Sequence, residues 1–315
     1  MTKPLAVYYE HPDWFLPLFA ELDARNINYL KLDASRHSYD PGAIAADFSL
    51  FLNRMSASAY LRGNSQGIFF THAYLAHLEG AGVRVLNGSR AFALEISKAR
   101  QLQLLRSLGI SFPKTRVVNC TGEILAAAKQ ISFPLLVKPN IGGRGAGIMR
   151  FDSIEQLKAA IETCTLQLGL DQIALVQELI PARNGQITRV ETLGGKFLYA
   201  INILVTGENF NLCPAELCQI ESVAEFPENP GANTTGLKVE SFTPPGTLID
   251  AVEKIVAAAG IDVGGVEYII DDRDGRAVFY DINALSNFVA DAPRVIGFDP
   301  HIQLVDFLER QLGNH

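Results

Sequence analysis

Short apolar runs and longer stretches of mixed polarity alternate along this chain of 315 residues. "PLAVYYE", "INYLKLD", "FSLFLNRM" and "GVRVLNG" read as strands. "PDWFLPLFAELDARN" and "GIFFTHAYLAHLEGAG" carry helical apolar spacing, the first stopping at Asn26. Strands that alternate with helices predict a parallel sheet covered on both faces for the first ~95 residues. From Arg90 the spacing predicts one helix, "AFALEISKARQLQLLRSLG", ending at Gly109 as a C-cap. "TRVVN" and "FPLLVKP" read as strands around the helix "TGEILAAAKQI". "IMRFD" is a further strand, followed by the helix "SIEQLKAAIETCTL" with Ser153 as N-cap.

The pattern then becomes strand-rich. "ALVQELI", "TRVETLG" and "KFLYAINILV" are expected strands, with Leu193-Gly194-Gly195 turning between the last two. Pro and Gly punctuate Pro227 to Pro245, which reads as a long loop. A helix "TLIDAVEKIVAAAG", a hairpin "VGGVEYIIDDRDGRAVFYDIN" and a helix near "PHIQLVDFLERQL" complete the chain. No repeat or low-complexity tract is visible.

Length suits two or three packed subdomains. A net charge of −7 argues against bulk binding of nucleic acid or anionic membrane, while leaving room for a local basic site. The start has no apolar signal core and no apolar run is long enough to span a bilayer, so a cytoplasmic protein with reduced thiols is expected. Cys120, Cys164, Cys213 and Cys218 lack zinc spacing and read as plain thiols.

Two segments carry candidate chemistry. "VKPNIGGRGAGIMRF" sets a lysine and a glycine-rich loop between two strands. The loop is neither a Walker loop nor a dinucleotide fingerprint, because it leads into a strand and lacks Gly-Lys-Ser/Thr. Its bare N–H groups could still approach phosphate oxygens, or the loop could be a plain surface hairpin. Leu135 and Val137 share one strand face and Leu136 and Lys138 the other. Lys138 must therefore snorkel or meet an anion, and beside a glycine lid phosphate is favoured. Lys98 alone reads as part of a solvated helix face. In the C-terminal hairpin, Asp281 and Asn283 point to one face of a strand, and Glu267 stands on its neighbour among Val266, Ile269, Phe279 and Ile282. Two carboxylates and an amide are hard ligands that suit Mg²⁺ beside phosphates; a satisfied surface ladder is the bland alternative. Asp271, Asp272, Arg273 and Asp274 read as turn residues, and the histidines show no ligand spacing.

In this order the motifs resemble the ATP-grasp superfamily, most closely the ribosomal-protein glutamate ligase and the glutathione synthetase-like carboxylate-amine ligases. The resemblance covers nearly the whole chain and rests on the ordered set rather than on one motif. It implies an α/β fold of α+β ATP-grasp type: an N-terminal parallel α/β domain (1–93), a central lobe with the glycine lid (94–178) and a C-terminal lobe with an antiparallel sheet (179–315). It implies that Lys98 and Lys138 contact nucleotide phosphate under the lid of Gly142, Gly143, Arg144, Gly145, Ala146 and Gly147. Glu178 would accept from the adenine amino group, with Leu179 and Ile180 lining the hinge. Arg189 would face the phosphates or an acyl phosphate, making Arg189 and Lys138 the catalytic pair. Glu267, Asp281 and Asn283 would hold Mg²⁺, or Mn²⁺. The implied activity is ATP-dependent ligation of a small carboxylate to an amine, an amino acid or short peptide among the possible substrates, in a chain that could form homo-oligomers. An ATP-binding scaffold without turnover and a small-molecule kinase are the alternatives.

The chain also departs from the pattern. Glu267 and Asp281 exchange the usual Asp and Glu. Ile187 stands where several relatives place an Asp near the ribose, and Ile203 where the closest ones have an arginine. "ALSNF" replaces the usual turn after "DIN". "GENFNLCPAELC" replaces the acceptor loop, where Asn211 is a candidate near metal or substrate. Arg54 and Ser56 are weaker candidates for substrate binding.

Overall fold

The structure, a computed structural model, describes residues 3–42, 46–204 and 238–313. Among these the strands form three sheets. The first is parallel, with order β2-β1-β3-β4, built from β1 (Leu5–Tyr9), β2 (Tyr29–Asp33), β3 (Leu50–Arg54) and β4 (Arg84–Leu86). Helices α1 (Leu16–Ala24) and α2 (Ser65–Gly80) connect these strands. As expected of such a sheet, both faces are buried. Leu5, Val7, Leu50 and Leu52 enter one core cluster, and Ala6, Tyr8 and Phe51 another.

The helix expected from Arg90 is instead two helices, α3 (Ser89–Glu95) and α4 (Lys98–Ser107). The break has a tertiary cause. Ser97 is extended and its hydroxyl accepts from Arg100 N–H, which starts a new helix. Asn140, just after the lysine strand, takes up that helix start: its carbonyl accepts from Lys98 N–H (3.3 Å) and its Oδ1 from Ala99 N–H (2.9 Å).

The second sheet is antiparallel, with order β5-β8-β6-β7. Its strands are β5 (Thr115–Val118), β6 (Leu135–Pro139), β7 (Met149–Phe151) and β8 (Ala174–Glu178). Helices α5 (Ile124–Ala128) and α6 (Ile154–Glu162) pack on one face of it, with Leu135 and Val137 in their shared core. Ser153 caps α6 as expected. The third sheet is also antiparallel, with order β11-β10-β9-β12-β13. It contains β9 (Gln186–Leu193), β10 (Lys196–Leu204), β11 (Lys238–Phe242), β12 (Val263–Ile270) and β13 (Ala277–Asn283). Gly194 and Gly195 turn the β9–β10 hairpin with positive φ. Part of the expected loop from Pro227 to Pro245 is therefore a strand. Lys238–Phe242 pairs with β10, so sheet pairing overrides the local Pro/Gly signal. Residues 227–237 of that loop, with Asn211, Cys213 and Cys218, lie outside the described residues. Helix α7 (Gly246–Ala259) covers the third sheet, while α8 (Ala292–Ile296) and α9 (Pro300–Gly313) close the chain against the first core. Among the described residues no helix is long and apolar enough to cross a membrane, and Cys120 and Cys164 are free and exposed.

Candidate nucleotide and metal site

A cavity of about 760 Å³ opens where the three sheets meet. The residues given a nucleotide, catalytic or metal role by the resemblance line it, namely Lys98, Lys138, the loop from Gly142 to Ala146, Glu178, Leu179, Ile180, Arg189, Glu267, Asp281 and Asn283, apart from Gly147 at the loop's end. Alternation along β6 turns Leu136 and Lys138 into the cavity, away from the core that holds Leu135 and Val137.

The C-terminal hairpin sets the acidic wall. Glu267 lies directly across from Asp281, and Asn283 across from Gly265. A bulge at this point gives β13 one extra residue, Tyr280, whose hydroxyl donates to Glu267 Oε2 (2.7 Å). Glu267 is also opposite Arg189 on β9, and Arg189 Nη1 donates to Glu267 Oε1 (2.9 Å). Arg189 is held on two further sides, its Nε donating to Glu191 Oε1 (2.6 Å) and its Nη2 to Ser286 Oγ (3.0 Å). Lys98, the first residue of α4, reaches Asp281 Oδ1 at 2.6 Å.

These groups shift one another. Burial would lower Lys98, but the neighbouring Asp281, Glu267 and Glu95 carboxylates outweigh it and hold the ammonium above its ordinary range. Burial would likewise raise Asp281, yet Lys98, Lys138 and Arg189 keep it below the usual carboxylate range. Glu267 is raised, by burial first, against the pull of Arg189. Lys138 is pulled upward by the same Asp281 and Glu267 carboxylates, but they do not outweigh its burial. Burial, then repulsion from Lys98, push it down to about 7. Lys138 thus stands buried beside the glycine loop and Lys98 in a setting that disfavours its charged form.

The donor set fits a hard divalent cation. Two carboxylates face each other in register beside an amide, and in this structure Lys98 and Arg189 stand as the positive charges against them. The buried Nδ2 of Asn283 has no hydrogen-bond partner. Among the described residues no group of three His, Cys, Asp or Glu could hold a metal unaided, so phosphate oxygens and water would complete the shell.

At the other end the cavity is apolar, walled by Phe133, Pro134, Leu136, Leu179, Ile180 and Ile269. The hinge is more occupied than the sequence suggests. Leu179 N–H already donates to the Pro134 carbonyl (3.1 Å), and Glu178 Oε1 accepts from Lys114 N–H (2.7 Å). Arg273 lies in the expected turn but does more than turn the chain. It lines the cavity, clasps the buried Asp271 and reaches Glu178 Oε2 at 3.4 Å, tying the hairpin tip to the hinge. Ile187, at the position noted for ribose, contributes only an apolar wall.

The glycine loop crosses toward the first sheet. Arg144, Gly145 and Gly147 have positive φ, and a Cβ at Gly143 would come within 3.0 Å of the Ser58 Cβ. Glycine here permits both the turn and the close approach. Ser56, Ala57, Ser58 and Trp14 line the adjoining cavity wall. Arg54 does not line it. The side chain is buried, its Nη2 donates to the Ser286 carbonyl, and burial lowers it to about 10.

Residues 96–211 match the RimK-like ATP-grasp domain. The carbamoyl phosphate synthase large chain of Archaeoglobus fulgidus is 24% identical over 230 residues, which are 70% of this chain and 20% of that protein. The chain thus spans about a fifth of the length of these relatives. A probable alpha-L-glutamate ligase of Thioalkalivibrio sulfidiphilus is 28% identical over 216 residues, 62% of this chain and 70% of that one. Among solved structures, the ATP-grasp ligase PsnB complexed with minimal precursor superposes with a TM-score of 0.68 at 20% identity, covering 99% of this chain and 100% of that chain. The D-alanine–D-alanine ligase of Bacillus anthracis complexed with ATP gives 0.66 at 16% identity, covering 100% and 98%. The expected fold is therefore the observed one: a parallel N-terminal sheet followed by two antiparallel sheets, matching the fold of those ATP-grasp ligases.

Proposed function

We propose that this chain, which carries a RimK-like ATP-grasp domain, is an ATP-dependent carboxylate-amine ligase. The supporting observation is convergence. Lys98, Lys138, Arg189, Glu267, Asp281 and Asn283 line one cavity with a glycine loop at one side and an apolar slot at its end. In this reading, residues 94–178 and 179–315 are the two lobes that grip the nucleotide, and 1–93 adds a wall for substrate.

The adenine sits in the slot between Leu136, Ile180 and Ile269, and the triphosphate runs toward Lys138 and Lys98. A substrate carboxylate oxygen attacks the γ-phosphorus, and the bond to the β-phosphate oxygen breaks to release ADP. The amine nitrogen then attacks the carbonyl carbon of the acyl phosphate, phosphate leaves and an amide forms. Lys138 and Lys98 offset the charge on the transferring phosphoryl group, and Arg189, fixed by Glu191 and Ser286, faces the acyl phosphate. Mg²⁺ held by Glu267, Asp281 and Asn283 would polarise the phosphates. The loop from Gly142 to Gly147 shields the intermediate from water. No side chain is needed as a covalent nucleophile; position and charge carry the reaction.

The test is a phosphate-release screen with pooled amino acids, short peptides and amines, followed by mass measurement. Ligation gives ADP, phosphate and a new amide. A phosphorylated product without free phosphate would instead mark a kinase, and nucleotide binding with no turnover for any pool would mark a scaffold.

A further inference from the structure

Among the described residues, the strand that carries Asp281 and Asn283 is the edge of its sheet. An edge strand presents a row of N–H and C=O groups with no neighbouring strand to pair them. Here side chains take the neighbour's place. Gln101 is 2% exposed and pairs with Ile282 on both sides: its Nε2 donates to the Ile282 carbonyl (2.8 Å) and its Oε1 accepts from Ile282 N–H (3.2 Å). The same Nε2 donates to the Leu94 carbonyl (2.9 Å), which fixes the amide's orientation. Beyond Asn283, Glu95 Oε2 accepts from Ala284 N–H (2.7 Å) and Leu285 N–H (3.1 Å), and Asn87 Nδ2 donates to the Ala284 carbonyl (2.5 Å).

Ile282 is the residue between Asp281 and Asn283. Gln101 therefore holds the backbone from which both side chains project. Lys98 and Gln101 are three apart on α4 and share one helix face. One grips the Asp281 carboxylate and the other the adjoining peptide groups. We infer that Gln101 is a positioning residue: it stands in for a missing strand and fixes the spacing between the phosphate-facing lysine of α4 and the cation ligands of β13. The inference rests on the metal reading given above, and it concerns metal affinity rather than turnover.

The test uses the full chain with Mn²⁺ as probe and a non-hydrolysable ATP analogue, following Mn²⁺ by electron paramagnetic resonance. Gln101→Met keeps the volume and removes all three of these hydrogen bonds. Outer partners of metal ligands typically alter metal affinity by about 10–100-fold, so a weakening of about tenfold or more is expected. Adenosine affinity, measured without metal, should stay within about twofold, because the apolar slot is separate. Gln101→Asn, one methylene shorter, should shift Mn²⁺ the same way by less. It carries the test if the methionine variant does not fold. Faster hydrogen exchange at the Ile282 amide should accompany either change. Unchanged Mn²⁺ affinity in a folded variant overturns the inference, as does an equal loss of Mn²⁺ and adenosine, which would mean general loosening. A wild-type chain that binds no Mn²⁺ with the analogue overturns the metal reading itself. Normal Mn²⁺ binding without any ligation would remove only the ligase.

Discussion

The two ends of the cavity are built on opposite principles. The slot around Leu136, Ile180 and Ile269 is apolar, with Leu136 and Ile180 buried and Ile269 half-buried. The other end concentrates Lys98, Lys138, Arg189, Glu267 and Asp281, ionisable groups that burial disfavours. Buried charge stabilises a fold poorly, and leaving one partner unmatched is strongly destabilising. One end is thus lined by side chains that favour burial, while the other holds ionisable groups at a cost that the proposed anion and cation would offset.

Substitutions that break this contrast should differ in kind. Asp281→Ala removes a proposed cation ligand and the partner of Lys98. Turnover should fall by about a thousand-fold, the range seen when a principal electrostatic group is lost, while adenosine affinity in calorimetry stays unchanged. Lys138→Met should lower turnover about a hundred-fold in the same assay, yet the melting temperature should hold or rise, since a poorly compensated buried charge is gone. The sign with pH follows from its lowered pKa. From about 7 to the ordinary lysine value near 10.4, the unfolded chain holds a proton that the folded one lacks. The stability deficit from Lys138 is thus full below pH 7 and fades as pH rises through this window. Wild-type melting temperature should gain on that of Lys138→Met between pH 7 and 10.

Leu136→Ala probes the apolar end. KM for ATP should rise about tenfold with kcat nearly unchanged, the signature of uniform binding lost. The smallest effect sharpens the comparison further. ADP binding without metal should raise the Lys138 pKa, so a fraction of a proton is taken up at pH 8. Calorimetry in buffers of different ionisation enthalpy measures that uptake, and adenosine should give none.

The sequence made the sheets legible because their strands alternate cleanly. Leu135 and Val137 face one way and Leu136 and Lys138 the other, as period two requires. Pairing of Glu267 with Asp281 was within reach because a short turn constrains the hairpin. What stayed hidden depends on contacts far along the chain. No Gly or Pro marks the break before Lys98; Asn140, some forty residues away, organises it. Lys238–Phe242 lies in a Pro/Gly-rich stretch and is a strand because β10 offers an edge. Arg273 is the turn residue it reads as, but its contact with Glu178 exists only once the fold brings the two together. Tyr280, Glu191 and Ser286, which hold Glu267 and Arg189, carry no motif of their own. Tyr280 had one faint signal, an aromatic directly before Asp281 on a strand bearing Phe279.

The central claim is that the charged end takes a metal-bound triphosphate. Anomalous scattering from crystals grown with Mn²⁺ and a non-hydrolysable ATP analogue tests it most directly. A manganese peak bounded by Glu267, Asp281 and Asn283 is expected, with phosphates against Lys98 and Lys138 and the base between Leu136 and Ile269. Manganese and phosphates located away from the β12–β13 hairpin would contradict it.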